Sequence, residues 1–249
     1  MRSLILSDIH GNLEALEAAL ASAPQHDAVW NLGDVVGYGA SPNEVIAHMR
    51  TLATHNVRGN HDKVCCGITS VNNFNRVARD AAVWTAAQLT PESSVWLRTL
   101  PIGPLPAGNG VALSHGSPID EDQYILTVRD AWVPLQHMQQ RLTFFGHTHI
   151  QGGFGWDAGR WFEIAPQMRR SDDAAEWTLK LEDGRRYLLN PGSVGQPRDG
   201  DWRAAYALYD DVAKTIAYHR VPYDLSRSQG RILMANLPER LAVRLREGR

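Results

Sequence analysis

The chain has 249 residues, 43% of them hydrophobic and 21% charged, with a net charge of −2. This balance suits a soluble globular protein and gives no global attraction for nucleic acid or an anionic membrane, so any affinity for phosphate has to be local. The only cysteines, Cys65 and Cys66, are neighbours, which excludes a long-range disulfide framework and favours free thiols in a reducing compartment over a two-thiolate metal site.

The chain opens into an apolar strand at residues 3–7, without the long apolar core or cleavage site of a signal peptide. No stretch approaches the ~18 apolar residues of a membrane span, so a soluble, cytoplasmic protein is expected. Asn12 can cap a helix with Leu13, Leu16, Ala19 and Leu20 on one face, and residues 28–32 read as the next strand. Ser41-Pro42-Asn43-Glu44 predicts a capping box with proline at the first helical position, the helix running to about Thr51. Residues 55–58 complete a β-α-β-α-β series, which predicts parallel strands with right-handed crossovers.

Beyond this, residues 74–89 suit a helix, and Thr90-Pro91-Glu92 starts a shorter one that ends before Pro101. Strands are predicted at 111–114 and 142–145, with an irregular loop over 117–130 and a helix begun or kinked by Pro134. From about 150 to 220 the pattern is of glycine-punctuated strands carrying Trp156, Trp161, Trp177 and Trp202, with a hairpin turn predicted at Asp183-Gly184. Residues 190–195 form a turn-rich loop between two of them, and 225–249 are helical. No repeat, low-complexity tract or linker stands out, so one domain over 1–249 is expected.

Five short clusters carry the chemistry: Asp8-Ile9-His10, Gly33-Asp34, Gly59-Asn60-His61-Asp62, His115-Gly116 and Gly146-His147-Thr148-His149. Each follows an apolar run that reads as a strand, and strand ends can gather distant side chains around one rigid point. An Asp-x-His or a Gly-Asp alone is commonplace. Gly-Asn-His-Asp and Gly-His-x-His are more specific, and five clusters in order leave little room for coincidence. Together they offer enough donors for two metal ions, which need a shared anionic ligand to lie ~3.5–4 Å apart. Asp34 is the natural bridge, one oxygen to each ion. Asp8 and His10 can converge on one ion, and His147 and His149 can supply one imidazole to each. The nitrogen-rich donor set suits Mn²⁺, Fe²⁺, Zn²⁺ or Co²⁺ better than Mg²⁺ or Ca²⁺. Two divalent cations outweigh Asp8 and Asp34, leaving a positive pocket fit for phosphate.

The pattern resembles the calcineurin-like metallophosphoesterases over most of the chain. Three further stretches sharpen the likeness to the compact bacterial and archaeal branch of small phosphodiesterases and diadenosine-tetraphosphatase-like proteins: residues 33–39, residues 190–198 and the tail 237–242. The resemblance implies an α/β fold, a four-layer α/β-β/α sandwich of two mixed sheets flanked by helices, with metals where loops leave the strands. It implies one ion on Asp8, His10, Asp34 and His149, and a second on Asp34, Asn60, His115 and His147, manganese being the first choice and Fe, Zn, Co or Ni alternatives. His61 would serve the leaving oxygen or steady the transition state, with Asp62 orienting its ring, while a metal-bridging hydroxide attacks phosphorus in line. Many members have a second Asp three residues after the Gly-Asp aspartate, where this chain has Gly37; the compact branch often shares that glycine. Arg58 and Arg198 neighbour motif loops and are candidate phosphate clamps, surface exposure being the rival reading for each.

The implied activity is hydrolysis of a phosphodiester or phosphoanhydride in a small phosphate-ester or nucleotide substrate. The alternatives are a non-catalytic metal-binding scaffold, which the intact ligand set opposes, and a nuclease, which the mild cluster Arg169, Arg170, Arg185 and Arg186 with its neighbouring acids does not favour. Substrate, native metal and oligomeric state, a homo-oligomer included, stay open from sequence.

Overall fold

The computed structural model describes residues 1–249. Its first strand, β1 (Arg2–Leu6), is buried from Ser3 onward, as a central strand covered on both faces must be. It leads into α1 (Leu13–Ser22), capped by the Asn12 side chain, which accepts the Ala15 N–H at 3.2 Å. Then come β2 (Ala28–Asn31), α2 (Pro42–Leu52) and β3 (His55–Asn56). β1 pairs in parallel with β2 and β2 with β3, so the β-α-β-α-β reading is met.

The middle of the chain supplies α3 (Asn60–Cys65), α4 (Arg76–Gln88), α5 (Pro91–Thr99), β4 (Leu105–Pro106), β5 (Val111–Leu113), α6 (Val128–His137) and β6 (Leu142–Phe144). The remainder is β7 (Gly152–Asp157), β8 (Arg160–Ile164), β9 (Ala175–Lys180), β10 (Arg186–Asn190), β11 (Ala204–Asp210), β12 (Thr215–Val221), α7 (Leu225–Met234) and α8 (Glu239–Glu247). Two mixed six-stranded sheets result, ordered β3-β2-β1-β11-β12-β9 and β4-β5-β6-β10-β7-β8.

Alternation along the strands builds the layers. Ile5, Trp30, Leu113, Phe144, Leu189, Ala207 and Tyr218 fill the space between the sheets. Leu4 and Leu6 point the other way, onto Leu16 of α1 and Ile46 and Met49 of α2. On the far side Leu188 and Phe154 meet Ala131 and Leu135 of α6. The order is therefore helix, sheet, sheet, helix: the predicted α/β-β/α sandwich. Each fully buried Leu, Ile or Phe contributes about 1.5–3 kcal/mol. No helix is long and apolar enough to cross a membrane.

Four local expectations need correcting. The Ser41 side chain makes no capping hydrogen bond and its Oγ is buried without a partner, so α2 relies on Pro42 at its start instead. α4 begins at Arg76 rather than Phe74, because Asn75 caps it by accepting the Ala78 N–H. Pro134 does not begin its helix: α6 starts at Val128, where Thr127 and Asp130 cap one another, and Pro134 sits within it, buried beside Leu135. Asp183-Gly184 is a turn, with Gly184 at φ +88°, but not a hairpin. β9 pairs with β12 and β10 with β6 and β7, so the turn carries the chain from one sheet to the other. A turn signal marks where a chain reverses, and it is silent about which strands pair.

Candidate metal centre

The five clusters all follow strands of the two sheets, and the folded chain brings all five into direct contact. Asp8 and His10 leave β1, Asp34 leaves β2, His115 leaves β5, and His147 and His149 leave β6; Asn60 and His61 open α3. The turns are held by the backbone. Asp8 N–H donates to Gly33 O at 3.0 Å, and His10 N–H to Asp34 O at 2.9 Å.

Asp8, His10, Asp34, His147 and His149 all adopt positive φ, between 51° and 66°. For residues with a side chain this left-handed conformation costs of order 1–3 kcal/mol each, and it persists only where the surroundings dictate it. Here Ser193 Oγ and Gly195 N–H donate to Asp8 O at 2.7 and 3.0 Å. Asn190 Nδ2 donates to Gly146 O at 2.8 Å and to Thr148 Oγ1 at 3.0 Å, latching the His147–His149 turn. Two glycines allow close approach: a Cβ at Gly59 would lie 2.0 Å from Asp34 Oδ1, and one at Gly146 2.0 Å from Ser7 Oγ.

Two groups of donors result. In the first, His10 Nε2 lies 3.2 Å from His149 Nε2 and 3.5 Å from Asp34 Oδ2, while His149 Nε2 lies 3.3 Å from Asp8 Oδ1. In the second, His115 Nε2 lies 3.4 Å from Asp34 Oδ2, 3.1 Å from Asn60 Oδ1 and 3.1 Å from His147 Nδ1. Asp34 belongs to both. The expected division of its oxygens is not the one observed: Oδ2 faces both groups, and Oδ1 accepts the His61 N–H at 2.8 Å.

Each imidazole is oriented from behind. His10 Nδ1 donates to Val36 O at 3.0 Å, His115 Nδ1 to Leu32 O at 2.9 Å, His149 Nδ1 to Gln196 O at 2.6 Å and His147 Nε2 to Asp122 O at 3.1 Å. A ring nitrogen that donates to a carbonyl carries the proton, which leaves the inward nitrogen of a neutral ring as a bare lone pair. In the first group the inward nitrogens of His10 and His149 face one another at 3.2 Å beside carboxylates, acceptors without a donor; in the second, the His115 and His147 nitrogens lie 3.1 Å apart beside Asp34. A divalent cation would resolve that conflict, and the donor residues fit divalent metal ions.

The electrostatics agree. Burial pushes Asp34 up, but His115 and His61 around it hold its carboxyl well below the usual range. Burial raises Asp8 to about 6, with the neighbouring Asp34 charge adding to it. Burial also lowers His147 to about 3 and holds His10 and His149 well below the ordinary imidazole value, leaving neutral rings. His115 goes the other way: burial would lower it, but Asp34 raises it to about 10. The point between Asp34 and His115 is thus one that attracts positive charge.

The remaining residues named from sequence fare differently. The His61 ring packs against Tyr38, Phe74 and His10, with centroids 4.4, 4.5 and 4.9 Å away, and burial lowers it to about 4. Asp62 does not orient it. Its carboxylate accepts the Gly59 N–H at 2.9 Å and the Val36 N–H at 3.2 Å, tying two motif loops together, and His61 Nδ1 is buried without a partner. A Cβ at Gly37 would lie 2.5 Å from that Nδ1, so the glycine at this place leaves room for the ring. Arg198 lies beside the first group, its guanidinium 5.9 Å from the Tyr38 ring centroid and paired with no carboxylate, and its N–H donates to His149 O at 3.1 Å. Arg58 is instead clasped by Glu121 through Nε at 3.0 Å and Nη2 at 2.8 Å, so a carboxylate holds the guanidinium that the sequence suggested for phosphate.

Sequence reasoning missed the supports: Asn190, Ser193, the Gln196 and Asp122 carbonyls, and Ser7, whose Oγ donates to Asp8 Oδ2 at 2.6 Å. The 190–198 stretch stood out as a motif, but its role as a latch needs coordinates. Tyr124, stacked on His147 at 3.8 Å between centroids, left no signal at all.

Comparison with known proteins fits this geometry. The chain is 34% identical to an uncharacterised protein of Methanocaldococcus jannaschii, over 98% of its own length and 97% of that protein's. A metallophosphoesterase structure from Sphaerobacter thermophilus superposes with a TM-score of 0.84 at 38% identity, covering 100% of this chain and 99% of the other. A symmetrical bis(5′-nucleosyl)-tetraphosphatase of Yersinia enterocolitica is 32% identical over 107 residues, which is 41% of this chain and 37% of the tetraphosphatase. Residues 1–213 match the calcineurin-like phosphoesterase superfamily domain, and the chain belongs to that family of phosphoester hydrolases.

Proposed function

We propose that the protein, working as one domain, is a dinuclear-metal-dependent hydrolase of phosphodiester or phosphoanhydride bonds in a small nucleotide-like substrate. The observation that carries this is the pair of buried donor groups sharing Asp34 Oδ2, with the inward nitrogens of His10 and His149 facing one another at 3.2 Å without a proton to share. Asp8, His10, Asp34 and His149 would hold one ion, and Asp34, Asn60, His115 and His147 the other. The mixed nitrogen and oxygen donors suit Mn²⁺, with Fe, Zn, Co or Ni as alternatives. When bound, the two ions supply Lewis acidity toward a phosphoryl oxygen and lower the pKa of water.

The rest falls to the chain's own side chains. Arg198, free of any acid, provides positive charge for the non-bridging oxygens of the phosphate. His61 is fixed by Tyr38 and Phe74 and would hydrogen-bond the leaving oxygen. Asp62 keeps the Gly33–Val36 and Gly59–His61 loops in register, so it acts on the reaction through Asp34 and His61. Adjacent buried thiols at Cys65 and Cys66 suit the reducing cytoplasm.

The test is a Mn²⁺-supplemented screen over monoesters, diesters and dinucleoside polyphosphates, run beside elemental analysis and the His61→Ala and His115→Ala variants. We expect two ions per chain, activity on at least one class, and a loss of roughly 10²-fold or more in each variant. Metal-loaded protein inert on every class, or wild-type protein that takes up no transition metal, would sink this assignment.

A further inference from the structure

A groove of about 360 Å³ opens from the second donor group, and Asn60 and His147 form its inner end. Its walls include Phe74 and Tyr124, with Asn73, Ser70 and Thr69 along one side. Tyr124 is 47% exposed although it stacks on His147. Phe74 touches His61, the residue assigned to the leaving oxygen. The groove therefore starts where the departing group would be released.

Lys63 Nζ, buried at the groove wall, binds Glu121 at 3.0 Å and Asp122 at 2.6 Å, and Arg58 holds the other side of Glu121. Lys63 and Arg58 are both neutralised in this way, whereas Arg79, which donates to the Asn72 and Phe74 carbonyls at 3.4 Å each, has no acidic partner. Arg198 and Arg244 both lie 5.9 Å from the ring centroid of Tyr38, which packs on His61, and neither is ion-paired with an acidic side chain. Beside its two aromatic walls the groove offers the amides of Asn60 and Asn73 and the hydroxyls of Ser70 and Thr69. A planar uncharged ring finds π-faces and amide and hydroxyl partners there.

We infer that the groove between Phe74 and Tyr124 receives the leaving group of the substrate, an alcohol bearing a nucleobase or a similar planar ring. The inference rests on the hydrolase reading above and narrows it. In the reaction, water oxygen bonds to phosphorus, the bond from phosphorus to the ester oxygen breaks, and the departing oxygen gains a proton to leave as the alcohol. The second proton of the water goes to solvent.

The products of such a reaction are stable probes. Adenosine and p-nitrophenol are titrated calorimetrically into Mn²⁺-treated protein, alone and with saturating inorganic phosphate. At least one ring probe binds the wild type, phosphate does not displace it, and Tyr124→Ala weakens it about tenfold while phosphate affinity stays within twofold. Phe74→Leu, which keeps apolar bulk for folding, weakens the ring probe to a lesser degree. The inference is overturned if neither ring binds, if phosphate competes with the ring for the groove, or if Tyr124→Ala lowers both affinities alike. Protein that binds rings in this way but hydrolyses nothing would leave the groove standing and remove the hydrolase reading, so the two failures are distinct.

Discussion

The two halves of the candidate metal centre are built differently. Asp8, His10 and His149 are fully buried; Ser193, Gly195 and the Gln196 carbonyl of the 190–198 loop anchor Asp8 and His149, and the Val36 carbonyl holds the His10 ring. In the other half His115 is equally buried, but Asn60 and His147 border a groove, and His147 leans on the Asp122 carbonyl and the half-exposed Tyr124 of the 117–127 loop. One half is a rigid floor fixed by several backbone turns, and the other is a wall whose outer support is a surface loop. Loops that carry specificity on a fixed scaffold are the usual arrangement in enzymes, since they can vary without disturbing the chemistry. Only Asp34 belongs to both halves.

That shared position gives the largest expected effect. Asp34→Asn preserves shape but removes the charge on which both donor groups converge. Elemental analysis should find both ions lost, and activity should fall roughly 10⁴-fold, as when members of a cooperating catalytic unit are removed. Loss of one ion alone would mean that the halves are more independent than the common oxygen implies. Gly59→Ala reaches the same carboxylate sterically, because its Cβ would sit 2.0 Å from Asp34 Oδ1. Chemical denaturation should show a loss of about 1–3 kcal/mol along with weaker metal uptake.

Asn190→Ala separates floor from wall. Its amide latches the turn between His147 and His149, one ligand in each half. Metal affinity measured by chelator competition should drop about 10–100-fold for both ions, the range seen when a ligand's outer support is lost. A change confined to one ion would show that the latch serves only one side.

Much of this was legible in the sequence, for a physical reason. Ligands delivered at strand ends need short spacings such as Asp8-Ile9-His10 and His147-Thr148-His149, and the strands before them need apolar runs, so both leave local signals. The parallel β1-β2-β3 series follows from the same regularity. What stayed hidden depends on distance. Glu121 meets Arg58 from 63 positions away, and no local pattern announces that Arg58 will be neutralised. Asp62 neighbours His61 in sequence, which suggested a pair, yet the helical turn of α3 sends its carboxylate back to Gly59 N–H instead. Asp183-Gly184 reports a turn truthfully, while the sheet each strand joins is settled by packing.

The smallest predicted effect concerns the far end of the floor. Beyond Arg198 the chain is tied down by Asp201, whose carboxylate accepts from Arg203 Nε at 3.0 Å and Nη2 at 2.6 Å. Burial would raise Asp201, but the Arg203 hydrogen bonds hold it below the usual carboxylate value. A carboxyl lowered in the folded state binds its proton less readily there than in the unfolded chain. Its contribution is therefore present above the ordinary value near 3.8 and lost as pH falls through the lower folded value. Urea midpoints should decline for the wild type across that acid window, and Asp201→Asn should start lower, by about 1–3 kcal/mol, with a shallower decline. Because the pair anchors the floor and touches no ligand, metal content at neutral pH should be unchanged in this variant. If Asp201→Asn also releases metal from the first group, the rigidity of the floor originates further along the chain than the 190–198 loop.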